Sequence, residues 1–453
     1  MHADLGSSGP SWLRQPSDVN ALLPMLWPKT VKRAQNGALE VGGKTVTQIA
    51  AEHGTPAYVF DEADFRERCR AFKRAFGGAE VYYAGKAFIA TAVVRILVEE
   101  GLSLDVCSGG ELAVALRGGM PAERIGLHGN NKSVAELNRA VEAGVGRIIV
   151  DSFDEIERLT RIALETGTRP KVLVRVTVGV EAHTHEYIAT AHEDQKFGFS
   201  LAGGAAAAAV DRILADGVLE LRGLHSHIGS QIFDTSGFEI SARRILSLQA
   251  RIHEVHKLEL PELDLGGGFG IAYTTQDEPA EPADLAADLM RIVKQECAAL
   301  HLSVPHLSVE PGRAIVGPSM FTLYEVGTVK DVDGIRTYVS VDGGMSDNIR
   351  PALYDAAYSA TVAGRTSAEP PILARVVGKH CEAGDIVVKD EFLPADVQAG
   401  DLLAVPGTGA YCRSMASNYN HVPRPPVVAV ADGQSRVIVR RETVDDLLNL
   451  DMG

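Results

Sequence analysis

Between Val81 and Arg313 the chain alternates short apolar runs rich in Val, Ile and Leu with longer stretches whose apolar positions recur at helical spacing. Buried strands give the first pattern and amphipathic helices the second, so the segment reads as repeated βα units. Eight strand runs stand out: VYYA (81–84), LSLDV (102–106), RIGLH (124–128), RIIV (147–150), KVLVRV (171–176), LRGLHSH (221–227), ELDLG (262–266) and LSVE (307–310). Helices are expected over Ile89–Glu100, Glu111–Arg117 and Ser133–Ala143, the last with Ser133 as N-cap and Glu136 completing a capping box. The Ala-rich run 202–210 is read as a helix. Lys86, Ser108, Asn130 and Ser152 follow the first four runs at intervals of 22 residues, which suits a strand, a helix and two short loops per unit. Eight such units most simply close into a (β/α)8 barrel.

After Arg313 the texture becomes β-rich, with runs at 321–329, 337–341, 372–378, 385–388, 402–405, 427–431 and 436–441 punctuated by Gly, Pro and Asp. This predicts an all-β barrel or sandwich. Before Val81, ALEV (38–41) and AYVF (57–60) look like strands and Asp64–Phe76 like a helix. That segment is too short to fold alone, and it is expected to lend strands to the β domain. The fold class is therefore α/β plus all-β, with residues 1–60 as an N-terminal segment, 61–313 as the barrel and 314–453 as the β domain.

The 453 residues suffice for a barrel and a smaller companion. Lys and Arg number 44 against 59 Asp and Glu, a net charge of -15, so nucleic acid is not an expected partner. Five scattered cysteines without CxxC spacing argue against a disulfide framework or a zinc cluster and suggest a reducing cytoplasm. Neither a signal peptide nor a run of about 18 apolar residues is apparent, so no membrane association is expected.

Chemistry-bearing residues collect at the C-terminal ends of the strand runs, where (β/α)8 barrels place their sites: Lys86, Asp105, His128, Asn130, Asp151, Arg175, His225, His227, Gly266–Gly268, Glu310 and Arg313. A lysine in a crowded barrel mouth can condense with a carbonyl once partial desolvation lowers its pKa. DLGGGFG (264–270) is a loop able to cradle a phosphate, after the seventh strand as barrels often have it. In EPGR (310–313) a carboxylate can meet a protonated heterocyclic nitrogen and a guanidinium an anion. HSHIGSQ (225–231) supplies His227 and Ser230. The HxH spacing, with His183 and His185 in EAHTHE, also raises zinc. Barrel hydrolases carry HxH after the first strand, which here ends in Lys86, and no metal is expected.

Taken together, YAGKAF, HGNNKS, EAHTHE, HEDQKFGFS, HSHIGSQ, LDLGGGFGIAY, VEPGRAIVGP, VDGGMSDNIRPALY, HCEAGDI and GAYC resemble the fold type III decarboxylases dependent on pyridoxal 5'-phosphate (PLP), over roughly residues 50–425. The likeness is greatest to the branch acting on meso-2,6-diaminopimelate. It implies a PLP barrel plus a β domain, in a homodimer whose subunits share active sites. By the resemblance Lys86 carries PLP, His227 stacks on its ring, and Glu310 pairs with the ring nitrogen. Ser230, Gly266, Gly267 and Gly268 hold the phosphate, and Asp105, Gly312, Arg313 and Tyr411 complete the cofactor contacts. Arg313, Arg350, Tyr354 and Tyr411 contact the substrate. Cys381, the proton donor, and Glu382, which meets the distal ammonium, reach in from the other subunit. Ala383 stands where the family commonly has Ser, Gly85 where it has Ala or Ser, and Arg413 and Asn418 where an aromatic and an Arg are more usual.

The expected reaction is decarboxylation of meso-diaminopimelate to L-lysine and CO2, the last step of bacterial lysine synthesis. A decarboxylase of ornithine, arginine or carboxynorspermidine would keep the PLP residues, but Arg350 favours a substrate with a second carboxylate. A racemase profits from a cation at the ring nitrogen, and Glu310 argues against it. A catalytically dead binding protein would be expected to lose Lys86 or Cys381, and both are present.

Overall fold

The computed structural model describes residues 9–179, 196–333 and 335–453. His183 and His185, and the start of HEDQKFGFS, lie outside the described residues. The chain divides into two compact units: residues 68–270 with 279–314, and residues 1–67 with 271–278 and 315–453.

The first unit is a closed parallel barrel. Its strands are β1 (Glu80–Ala84), β2 (Ser103–Val106), β3 (Ile125–Leu127), β4 (Arg147–Val150), β5 (Lys171–Thr177), β6 (Glu220–His225), β7 (Glu262–Asp264) and β8 (His306–Val309). Each pairs in parallel with the next, and β8 closes on β1 through Ser308 opposite Glu80 and Val309 opposite Val81. A two-residue strand, Phe199–Ser200, adds to the end of β5. All eight apolar runs are strands, each within a few residues of its expected bounds.

Local chemistry sets the helix starts. Ser108, Ser133 and Ser152 each accept the backbone N–H three residues on, and Glu136 completes the box at Ser133. The 22-residue interval thus reflects a recurring strand, polar cap and helix. The Ala-rich run forms the helix Ala205–Asp216.

The second unit is built on a nine-stranded mixed sheet branching at the long strand Met320–Val332, which pairs with Arg336–Val341, Leu402–Pro406 and Ala57–Asp61. Ala57–Asp61 also pairs in parallel with Val427–Ala431, so an N-terminal strand sits inside a sheet otherwise made by the C-terminal third. The run 38–41 behaves differently from its expectation. Leu39–Val41 joins a separate three-stranded sheet with Lys32–Arg33 and Lys44–Thr45. That sheet packs on the large one through Leu39, Val41, Phe321, Leu323, Val428 and Val430, because its apolar side chains need a partner face that three short strands cannot supply. No described helix is long and apolar enough to cross a membrane, and none of the five cysteines is in a disulfide.

Candidate active site

The C-terminal end of the barrel gathers a buried polar cluster. Glu310, just beyond β8, takes its Oε1 to within 3.1 Å of His225 Nε2 and 3.2 Å of His128 Nε2, and His128 Nε2 lies 3.5 Å from Asp105 Oδ1. Burial alone would raise Glu310, but the facing His128, His225 and Lys86 hold it well below the usual carboxylate range. Asp105 goes the other way: burial and the Glu310 charge push its carboxyl well up. Burial, reinforced by the positive charge of Lys86, pushes His128 and His227 well below ordinary histidine.

The HxH pair splits between two tasks. His225 faces Glu310, whereas His227 Nδ1 accepts the Gly267 N–H at 3.1 Å, which places its remaining proton on Nε2. The glycine loop could hold no side chains. A Cβ on Gly266 (φ +70) would lie 2.4 Å from Ser226 O, one on Gly267 would lie 2.2 Å from Glu310 O, and one on Gly268 (φ +107) would lie 2.4 Å from Gly229 O. The Gly266 N–H is engaged by Asp264 Oδ1 at 2.7 Å, and Ser308 Oγ donates to Asp264 Oδ2 at 2.7 Å. Two of the three glycine N–H groups are thus held internally. The loop is pinned by its own Phe269, stacked 5.3 Å from Phe238 and packed 5.7 Å from Phe72.

Arg313 Nη2 donates to Ser230 Oγ at 2.8 Å, bringing the EPGR and HIGS motifs together. Gly312 packs where a Cβ would fall 2.8 Å from that of Ala84, at the end of β1. Lys86 follows β1 half-buried, next to Gly85, whose N–H donates to Asp105 O at 2.8 Å. A Cβ on Gly85 would lie 2.8 Å from that same oxygen, so glycine gives this turn its closest approach to β2. Asp151 Oδ1 accepts the Gly198 N–H, and the Arg175 guanidinium lies 4.4 Å from the centre of the Phe197 ring. Sequence reasoning missed Lys132. It is buried against Glu155 Oε1 at 2.7 Å and also donates to Gly129 O and Ile149 O, bracing the turn that carries His128 and Asn130.

The other expected residues belong to the second unit. Arg350 opens the short helix Arg350–Tyr354 and is buried, with Tyr354 half-buried at its end. Tyr411 holds a left-handed backbone (φ +64), a conformation costly for a tyrosine and concentrated at functional positions. Cys381 and Glu382 are both exposed on a loop. Asp385 accepts the Met345 N–H and bonds His380, whose ring stacks on Tyr419. Asn420 Oδ1 receives the Cys381 N–H at 2.9 Å. The loop thus has a rigid base and an open tip bearing a thiol and a carboxylate.

Residues 62–317 match the model of the pyridoxal-dependent decarboxylase family, pyridoxal binding domain. The chain is 58% identical over 448 residues to diaminopimelate decarboxylase of Mycobacterium leprae, covering 97% of this chain and 95% of that protein. It is 49% identical over 454 residues to the enzyme of that name from Corynebacterium efficiens, covering 99% of each. The crystal structure of diaminopimelate decarboxylase from M. jannaschii in complex with L-lysine superposes with a TM-score of 0.88 at 31% identity, covering 95% of this chain and 99% of that one. The chain belongs to the diaminopimelate decarboxylase family.

The barrel residues fit the cofactor of that family. Asp105 Oδ2 and His225 Nδ1 are buried without a protein partner among the described residues, the glycine loop forms a cradle that any Cβ would fill, and the donor set pairs a lysine and an ionised carboxylate with phosphate donors. Such a set suits a molecule with an aldehyde, a basic ring nitrogen and a phosphate.

Proposed function

We propose that this protein decarboxylates meso-2,6-diaminopimelate to L-lysine and CO2 with pyridoxal 5'-phosphate, as a cytoplasmic homodimer with shared active sites. The observation that carries the chemistry is the Glu310 carboxylate, kept ionised by the groups around it at the barrel end. When bound, PLP supplies a ring that accepts the electron pair left by departing CO2. Lys86 would hold it covalently through Nζ, and Ser230, Arg313 and the N–H groups from Gly268 onward would hold its phosphate. Glu310 keeps a proton on the ring nitrogen, which a neutral histidine or a cation there would not do as well. His227, fixed by the Gly267 N–H, offers its ring face.

The remaining residues act on the substrate. Arg350, Tyr354 and Tyr411 bind and orient it, with the Arg350 guanidinium set against the distal carboxylate. The loop tip at 381–384, exposed on this subunit, serves the barrel end of a second copy: there Glu382 meets the distal ammonium, and Cys381 Sγ gives its proton to the carbon that has lost CO2. A thiol that donates a proton must itself be protonated at working pH. The test is to supply the purified protein and PLP with meso-diaminopimelate, ornithine or arginine separately and measure CO2. Release from meso-diaminopimelate at 10²-fold or greater advantage, roughly, is expected if an unmatched Arg350 rejects the others. Comparable release from ornithine would overturn the substrate assignment.

A further inference from the structure

Arg350 is an anomaly by ordinary rules of burial. It is 6% exposed, yet no carboxylate lies within ion-pair distance of it among the described residues, and its guanidinium donates to one side chain there, the Tyr358 hydroxyl, from Nη1. A buried cation without an anion is costly and is retained where a ligand supplies the missing charge. Two aromatic rings hold it. The guanidinium carbon lies 4.7 Å from the centre of the Tyr273 ring and 5.6 Å from that of Tyr358, and these rings meet edge to face at 5.0 Å and 71°.

Each ring is itself fixed. The Tyr273 and Thr274 N–H groups both donate to Asp277 Oδ2, at 2.9 and 3.0 Å, which closes a tight turn. A Cβ on Gly407 (φ +74) would lie 3.2 Å from Tyr273 Cδ1, so the ring rests against bare backbone. Tyr358 is 2% exposed, and its hydroxyl lies 3.6 Å from Cys412 Sγ, which in turn contacts Asn348 Oδ1. Asn348 Oδ1 also accepts the Arg350 N–H. Tyr273 sits only three residues beyond the glycine motif in sequence, but residues 271–278 belong to the second unit, with Arg350.

We propose that Tyr273 and Tyr358 are positioning residues that hold Arg350 in one orientation as an uncompensated cation, and that this clamp selects substrates whose distal end carries a carboxylate. The proposal rests on the functional reading above. Attraction to the Tyr273 face replaces the ion pair that a carboxylate side chain would form, without neutralising the charge the ligand must meet. The Tyr358 hydroxyl fixes the rotation of the planar fork. A carboxylate on the protein would have stabilised Arg350 but would have competed with the substrate.

L-lysine and cadaverine test the clamp in the PLP-loaded protein, because they share two amines and differ by the carboxylate that Arg350 would meet. Affinities would be read by calorimetric titration, with thermal unfolding as the check on folding. The unmodified protein should prefer L-lysine. Tyr358→Phe should weaken L-lysine by about 10-fold or more, since a hydrogen bond to a charged group is lost, and Tyr273→Leu by about 5-fold. Cadaverine should change less than about twofold in either variant, and Tyr273→Phe, which keeps the ring face, should restore L-lysine binding. Parallel loss of both ligands, or loss of neither, overturns the clamp alone. Equal affinity of the unmodified protein for the two ligands overturns the substrate reading and the clamp with it.

Discussion

Gly267→Ala is the most informative perturbation of the cofactor cradle because one added methyl group strikes two functional parts at once. Its Cβ would lie 2.2 Å from Glu310 O and 3.0 Å from Glu310 C, about 1.2 Å short of ordinary contact with that oxygen. The obstructing atoms are backbone, so no rotamer change relieves the clash, and the site is buried. Either the glycine loop or the end of β8 must shift by about an ångström. Glu310 N–H is bonded to Gly266 O at 2.9 Å, so the wedge also strains that link. Overpacking of this kind costs about 1–3 kcal/mol of stability, and a 1 Å displacement of a positioned group costs about 10²-fold in rate. The assay is PLP titration by absorbance together with kcat on meso-diaminopimelate and a thermal scan. Gly110→Ala is the control, because the nearest atom to its Cβ would be 3.7 Å away in an ordinary helix. The reasoning fails if Gly267→Ala binds PLP and turns over within twofold of the unmodified protein.

Lys86→Ala should bind PLP without a borohydride-reducible linkage, read by mass spectrometry after denaturation; a fixed pyridoxyl group in that variant would place the anchor on another lysine. Asp264, raised to about 7 by burial and the Glu310 charge against the opposing His225, Gly266 N–H and Ser308 hydroxyl, keeps in the folded state a proton that the unfolded chain releases near pH 4. Its contribution is therefore lost as pH rises toward 7, by about 2 kcal/mol between pH 5 and pH 7. In urea unfolding, Asp264→Asn should gain on the unmodified protein by that amount over the interval, and a gap independent of pH would refute the assignment. Mixing inactive Lys86→Ala with inactive Cys381→Ala should restore activity through mixed dimers; none returning despite demonstrated subunit exchange would count against shared sites.

The barrel was legible because most of its strands are short runs of buried, largely apolar residues, and three of its helix starts have a serine whose hydroxyl satisfies a backbone donor. The small N-terminal sheet was not, since ALEV looks the same whether it extends a sheet or lies across one. At the site, sequence position brought Lys86, Glu310 and the glycines to one rim. It could not show that Gly266 and Gly267 spend their N–H groups on Asp264 and His227, or that His225 and His227 face different partners. Lys132 reads as a surface lysine until its three acceptors are seen, and Tyr273 reads as part of the barrel until residues 271–278 are found in the other unit. Apart from the local Gly266–Asp264 and Lys132–Gly129 bonds, these are long-range pairings, which no local pattern encodes.

The central claim is decarboxylation with reprotonation at the same carbon, and turnover of meso-diaminopimelate in deuterated water tests it most directly. Mass spectrometry should find L-lysine carrying one carbon-bound deuterium, in equal amount to released CO2. Deuterium entering recovered diaminopimelate without CO2 release would instead mark proton exchange at an intact amino acid, and would contradict the role given to Glu310 and to the thiol of Cys381.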